Sequence, residues 1–132
     1  MIRDLLQLAA VVAATAILLV AAIFVLNIDR ALAAPQMCGG QWLRTSWYGA
    51  ESGNRTADGS YFDGRQMYAA SRAMKFGTRL RLTYRGRSAI VTVKDRGPAS
   101  WTKRDLDISR AAAERIGMIG VGVGKLCAER LN

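Results

Sequence analysis

The 132-residue chain contains no histidine. Any scheme that rests on an imidazole, whether a catalytic triad or a histidine general base, is therefore excluded. Cysteine is almost as scarce, with Cys38 and Cys127 alone. Two thiols without an imidazole cannot complete a four-ligand zinc site, so no metal and no cofactor are expected. Acidic residues number 10 against 19 lysines and arginines, which leaves few carboxylates for proton-transfer chemistry. Internal repeats and low-complexity tracts are absent as well, which excludes a solenoid.

Charge is missing altogether from Leu5 to Leu26, where Gln7 is the one strongly polar side chain. That run is too long and too apolar for a helix of a small soluble domain and matches what a bilayer span requires. Arg3 precedes it, and Ala31-Leu32-Ala33-Ala34 follows, a small-residue site of the kind read by signal peptidases. Residues 1–33 are thus either a signal peptide cut after Ala33 or an uncleaved anchor. The cleavage site speaks for the first and the length of the apolar run for the second. Both imply export: periplasmic, anchored in the inner membrane facing the periplasm, or secreted. Pro35-Gln36-Met37 ahead of Cys38 lacks the leucine and small residues of a lipidation site. In an oxidising compartment, Cys38 and Cys127 suggest one disulfide, worth about 4 kcal/mol by loop entropy; two free buried thiols are the alternative.

Arg3 and Arg30 balance Asp4 and Asp29, so the whole net charge of +9 falls on the remainder. A basic exported domain suits a polyanionic surface such as cell-wall polymer or anionic head groups. Nucleic acid would be the partner of a cytosolic chain of this charge and is not expected here. The membrane is expected to be met through the N-terminal segment alone, and the chain to be a monomer.

After a linker at 34–41, residues 42–132 read as one domain. Trp42 to Tyr48 has strand composition and stops at Gly49; the chain from Gly49 to Gly64 is loop. Arg79 to Tyr84 alternates at period two, and Arg85-Gly86 turns it into a second strand, Arg87 to Lys94. Ser109 is a suitable N-cap for a short helix from Arg110 to Ile116, with Gly117 placed to end it. Val121 to Cys127 reads as a closing strand. Its glycines before Lys125 have the wrong spacing for a phosphate loop. Short strands with one short helix indicate a mainly β barrel or sandwich.

Several signatures occur in order: Ser46-Trp47-Tyr48-Gly49, Arg55-Thr56-Ala57-Asp58-Gly59, Ala69-Ala70, Phe76-Gly77-Thr78, Asp95-Arg96-Gly97-Pro98, and Leu106-Asp107-Ile108-Ser109 with Ala111-Ala112-Ala113. This set resembles the double-psi β-barrel domain of the rare lipoprotein A family, the septal lytic transglycosylases of the bacterial wall. The resemblance implies a six-stranded double-psi β-barrel with one or two short helices, and peptidoglycan glycan strands lying across an open groove. It also implies three polar groups in that groove. At the first, a Glu in the family, this chain has Ser60; at the second, a His, it has Ser71; the third, Asp95, is retained. Family members often carry a further C-terminal wall-binding domain, which is not expected in a chain that ends soon after its barrel.

Asp95 is the first catalytic candidate, because one carboxyl can act as acid and then as base. Lys94 and Arg96 beside it would disfavour the protonated acid unless they face away. The plainer reading is a turn-forming aspartate. Asp107 is the second candidate, since the resemblance extends to barrels with an acidic residue there in the groove; the plainer reading has it held by the amides of the helix that follows. Tyr48, Thr56, Ser60, Ser71 and Arg96 are the expected substrate-binding residues. Tyr48 rather than its neighbour Trp47 is expected to face the groove, because adjacent strand residues point to opposite faces. Trp101 reads as a rim residue, and Arg79, Arg81, Arg85 and Arg87 as cations on one hairpin face. The expected function is cleavage of MurNAc-GlcNAc bonds to leave 1,6-anhydromuramic acid ends, weakened by the two serines. The alternative is a barrel that binds glycan without cutting it, and a purely structural envelope protein is a third reading.

Overall fold

The computed structural model describes residues 1–32 and 37–132, with the side chains of 1–25 and 37–132. The expected cut after Ala33 and the first part of the linker lie outside the described residues. The chain divides into two compact units, Met1–Gln36 and Met37–Asn132. In the first, α1 runs from Ile2 to Leu32. Its segment Ile2–Val25, whose most apolar 18-residue stretch has mean hydropathy 2.9, is long and apolar enough to cross a membrane, and a signal sequence meets the same description.

The second unit holds β1 (Gln41–Tyr48), β2 (Tyr68–Ala70), β3 (Arg79–Tyr84), β4 (Arg87–Asp95), β5 (Leu106–Ser109), α2 (Arg110–Ile116) and β6 (Val123–Arg130). The six strands close into a barrel in the order β1-β5-β2-β4-β3-β6. β1 and β5 run parallel, as do β2 and β4; every other neighbouring pair is antiparallel. Period-two alternation sends Leu80, Leu82, Val91, Val93, Leu106, Ile108 and Leu126 inward, all fully buried. Removing each such side chain from water contributes about 1.5–3 kcal/mol. Ile116 of α2 and Met118 after it join the same core.

Local signals in the sequence account for the regular pieces. Arg85 and Gly86 have φ of 46° and 80°, the left-handed pair that a two-residue hairpin turn needs. The Ser109 hydroxyl accepts from the Ala112 amide, and Gly117, at φ 75°, receives the end of α2. Cys38 and Cys127 form a disulfide with Cα atoms 5.6 Å apart. It fastens the entry of the barrel to its last strand.

Three expectations change. The closing strand begins at Val123, not Val121, because a 3-10 turn at Ile119–Val121 and Gly122 at φ 70° precede it. It continues to Arg130 because β3 supplies partners as far as Leu80. Asp107, whose plainer reading has it held by the amides of the helix that follows, lies instead within a strand, β5. The four arginines do not share a face: Arg81 pairs across to Ile90 and bonds Glu129 at 3.0 Å, whereas Arg87 opposes Tyr84, on the row of inward residues.

Candidate functional site

Register brings the two candidate aspartates onto one row. Ser46 of β1 opposes Asp107 of β5, Asp107 opposes Ala70 of β2, and Ala70 opposes Asp95 of β4. Residues directly opposite one another project to the same face. Leu106 and Ile108 point into the core, so Asp107 points outward. Simple alternation would send Asp95 inward after Val91 and Val93. A bulge prevents this: Ala69 opposes Val93 but Ala70 opposes Asp95, with Lys94 as the extra residue. The bulge shifts the parity of β4 by one and re-aims Asp95 to the face of Asp107. Their backbones are two strand spacings apart, about 10 Å.

The two carboxylates have different company. Oδ1 of Asp95 accepts from the amides of Ala57 at 2.9 Å and Arg96 at 2.8 Å. Its Oδ2 has no hydrogen-bond or ionic partner among the described residues. Neither neighbouring cation pairs with it. Lys94 Nζ lies 3.0 Å from Asp58 Oδ2 and donates to Ser60 Oγ at 3.4 Å. The Arg96 guanidinium donates to the carbonyls of Ser71 at 2.9 Å and Met74 at 3.0 Å and covers the Phe76 ring at 3.6 Å. Asp107, in contrast, accepts from the Ser46 hydroxyl and forms an ion pair with Arg104, 3.3 Å away, while the Arg104 guanidinium donates to Ser46 Oγ. The amides of α2 do not hold it.

The turn that supplies the Ala57 amide is itself fixed by side chains. Thr56 Oγ1 donates to Asp58 Oδ1 at 2.7 Å, and the Ser60 amide donates to the same oxygen at 3.0 Å. Burial opposes charge on Asp58, but the bonds from Thr56, Ser60 and Lys94 outweigh it and hold its carboxyl well below the usual range. Thr56 is buried, so its hydroxyl shapes the turn. Ser71 is buried too. Its hydroxyl accepts from the amides of Ala73 and Met74, and its own amide donates to the Asp95 carbonyl at 3.1 Å. Ser71 thus lies beside Asp95 through the backbone, and Ser60 lies on the turn that holds it.

Tyr48 opposes Ser109 and shares the outward face of β1 with Ser46. Trp47 turns the other way, packing on the core and donating from Nε1 to the Ile119 carbonyl at 3.3 Å. The Tyr48 ring stacks on Phe62, centroids 4.8 Å apart, with Tyr68 6.5 Å beyond. Its hydroxyl is buried and has no hydrogen-bond partner among the described residues. Burial above all, then the charges of Asp95 and Asp107 and the neighbouring Tyr68, push the phenol above its ordinary value. It is a neutral group at any physiological pH.

Sequence reasoning missed Ser46, Arg104 and the Ala57 amide. Ser46 was accessible in principle, two residues from Tyr48 and hence on the same face. Arg104 carried no signal, because it reaches Ser46 across a 58-residue separation. No group of three or more Asp, Glu or Cys residues suited to a metal ion occurs among the described residues.

The profile of the lytic transglycolase family matches residues 41–128. The probable endolytic peptidoglycan transglycosylase RlpA of Aquifex aeolicus is 47% identical over 81 residues, 59% of this chain and 35% of that protein. Its counterpart in Nostoc is 43% identical over 83 residues, covering 61% and 22%. The endolytic peptidoglycan transglycosylase RlpA of Haemophilus influenzae is 37% identical over 82 residues, covering 61% and 28%. The chain therefore spans about a fifth to a third of the length of these relatives. Among solved structures, the Streptomyces papain inhibitor superposes with a TM-score of 0.59 at 21% identity, over 72% of this chain and 97% of that one. Cerato-platanin 3 of M. perniciosa gives 0.52 at 10% identity, over 70% and 95%. These two share the fold. With the profile reaching every strand of the barrel and the row of Ser46, Asp107 and Asp95, the chain belongs to the lytic transglycolase family of double-psi β-barrels.

Proposed function

We propose that this is an exported cell-wall protein that cleaves peptidoglycan glycan strands as a lytic transglycosylase, with Asp95 as the group that moves the proton. The observation that carries this reading is the state of Asp95. One oxygen is fixed by two backbone amides, the other has no partner among the described residues, and both neighbouring cations are engaged elsewhere. Such a carboxyl can give a proton to the glycosidic oxygen between MurNAc and GlcNAc as the C1–O bond breaks. The carboxylate so formed takes the proton of the muramyl C6 hydroxyl as that oxygen attacks C1. The products are a 1,6-anhydromuramic acid end and a new GlcNAc hydroxyl end. No water is consumed and Asp95 returns to its starting form. Asp107, tied to Arg104 and Ser46, shapes the site and its field. The apolar α1 segment serves as signal peptide or anchor on this reading, and the barrel's positive charge suits an acidic polymer.

A second reading, a barrel that binds glycan without cutting it, is favoured by the serines. The Ser71 hydroxyl is spent on the amides of Ala73 and Met74, and Ser60 contacts Lys94. Neither adds a second titratable group beside Asp95.

The full chain in detergent micelles, incubated with peptide-free glycan strands, separates the two by mass spectrometry. Anhydro-ended fragments that vanish in Asp95→Asn are expected. Glycan retained intact on the wild-type protein would favour the binding barrel.

A further inference from the structure

Trp101 is the most exposed aromatic side chain of the barrel unit, at 83%. Its ring makes no stacking contact and no hydrogen bond among the described residues. The other exposed aromatics are less open: Tyr61 at 61%, Trp42 at 47%, and Phe76 at 41% beneath the Arg96 guanidinium. An indole left in water gains the fold nothing, because the hydrophobic contribution requires burial. The backbone beneath it, in contrast, is firmly held. Arg72 donates to the carbonyls of Pro98 and, at 3.2 Å, Arg104, clasping both ends of the loop. Inside it, the Thr102 hydroxyl donates to the Ala99 carbonyl at 2.6 Å, and the Lys103 amide to Ser100 at 3.2 Å.

Both ends of this loop lie at the carboxylate row. It leaves from Gly97, where an added Cβ would meet Ala70 Cβ at 3.8 Å and Asp107 Oδ2 at 4.0 Å. It returns at Arg104, which donates to Ser46 and forms an ion pair with Asp107. Trp101 is three residues from that anchor. The loop is thus a rigid mount for one exposed aromatic plane at the edge of the proposed groove.

We propose that Trp101 is a sugar-stacking residue, taking the apolar face of one N-acetylated pyranose of the glycan a short way from the scissile bond. This rests on the glycan reading above and adds a recognition residue to it. A flat, pre-positioned indole matches the C–H face of a pyranose and loses little conformational freedom on binding. The structural cost of an exposed tryptophan then has its return in affinity, as with the aromatic anchors that dominate other interfaces.

Calorimetric titration of the full chain in detergent micelles with peptide-free glycan strands tests this. The variants are Trp101→Ala, Trp101→Phe and, as a control on a different strand, Trp42→Ala. Trp101→Ala is expected to weaken binding about tenfold and Trp101→Phe about two- to threefold, with Trp42→Ala unchanged. Both Trp101 variants keep the wild-type unfolding temperature, which a merely structural role for Trp101 would not allow. Wild-type affinity in Trp101→Ala overturns the proposal. So does a variant that binds glycan normally but loses anionic phospholipid vesicles, which would make the indole a membrane contact. A wild-type protein that binds no glycan at all overturns the glycan reading itself, and this inference with it.

Discussion

The end of β4 and the middle of β5 present the same residue type on the same face, flanking the same Ala70, yet the two carboxylates have different partners. Asp95 is held by neutral amides from Ala57 and Arg96 and keeps one oxygen unpaired. Asp107 is closed by a cation and a hydroxyl, Arg104 and Ser46. Amides orient a carboxylate without neutralising it, whereas an ion pair in a half-buried place consumes its charge. On the proposed reading, a carboxylate on this row is thus not by itself a catalyst. The neighbours decide whether it reacts or braces the wall on which another reacts.

The sharpest way to break that division is substitution at each station. Asp95→Asn is expected to remove at least about 100-fold of strand-cleaving activity while leaving thermal unfolding near wild type, since the amide still accepts from Ala57 and Arg96. An activity assay beside a melting curve checks both halves. At the other end of the barrel, reduction of the Cys38–Cys127 bridge, or Cys38→Ser with Cys127→Ser, should cost about 2–5 kcal/mol in denaturant unfolding. The carboxylate row is then unchanged in the folded fraction.

Arg104→Met is expected to destabilise by about 1–3 kcal/mol, because it leaves the half-buried Asp107 and the buried Ser46 short of a partner. Its cleavage rate should fall by less than that of Asp95→Asn. A larger loss of rate in Arg104→Met would move the chemistry to Asp107. The smallest effect concerns the turn that orients Asp95. Asp58 is charged more readily in the folded than in the unfolded chain, so its stabilisation is fully present above the unfolded value. It is lost as pH falls below about 4, toward the lower folded value. Asp58→Asn should flatten that acid limb of the stability curve, measured by unfolding at pH 6 and pH 3.

Local chemistry was legible in the sequence. The Arg85-Gly86 hairpin, the Ser109 cap and the Gly117 stop each depend on a few adjacent residues, and each forms where the residue types require it. Asp95, Asp107 and Tyr48 were recognisable from ordered motifs, and period-two alternation separated Tyr48 from Trp47. Strands of three and four residues, β2 and β5, are too short to show a period. The bulge at Lys94 reverses the parity that alternation gives Asp95, and it is visible only once β2 pairs with β4. The targets of Lys94, Arg96 and Arg104 also depend on the closed barrel, because long cationic side chains reach whatever the topology brings near. Hence the sequence singles out the two aspartates as candidates but not the difference in their partners.

The central claim is that Asp95 moves the proton and Asp107 does not. Asp95→Asn and Asp107→Asn should therefore be compared directly, each confirmed folded, by the rate at which 1,6-anhydromuramic acid ends accumulate from peptide-free glycan strands. The account predicts no detectable ends from Asp95→Asn and a rate within about tenfold of wild type from Asp107→Asn. Comparable activity in Asp95→Asn and wild type, or its loss in Asp107→Asn alone, would contradict it.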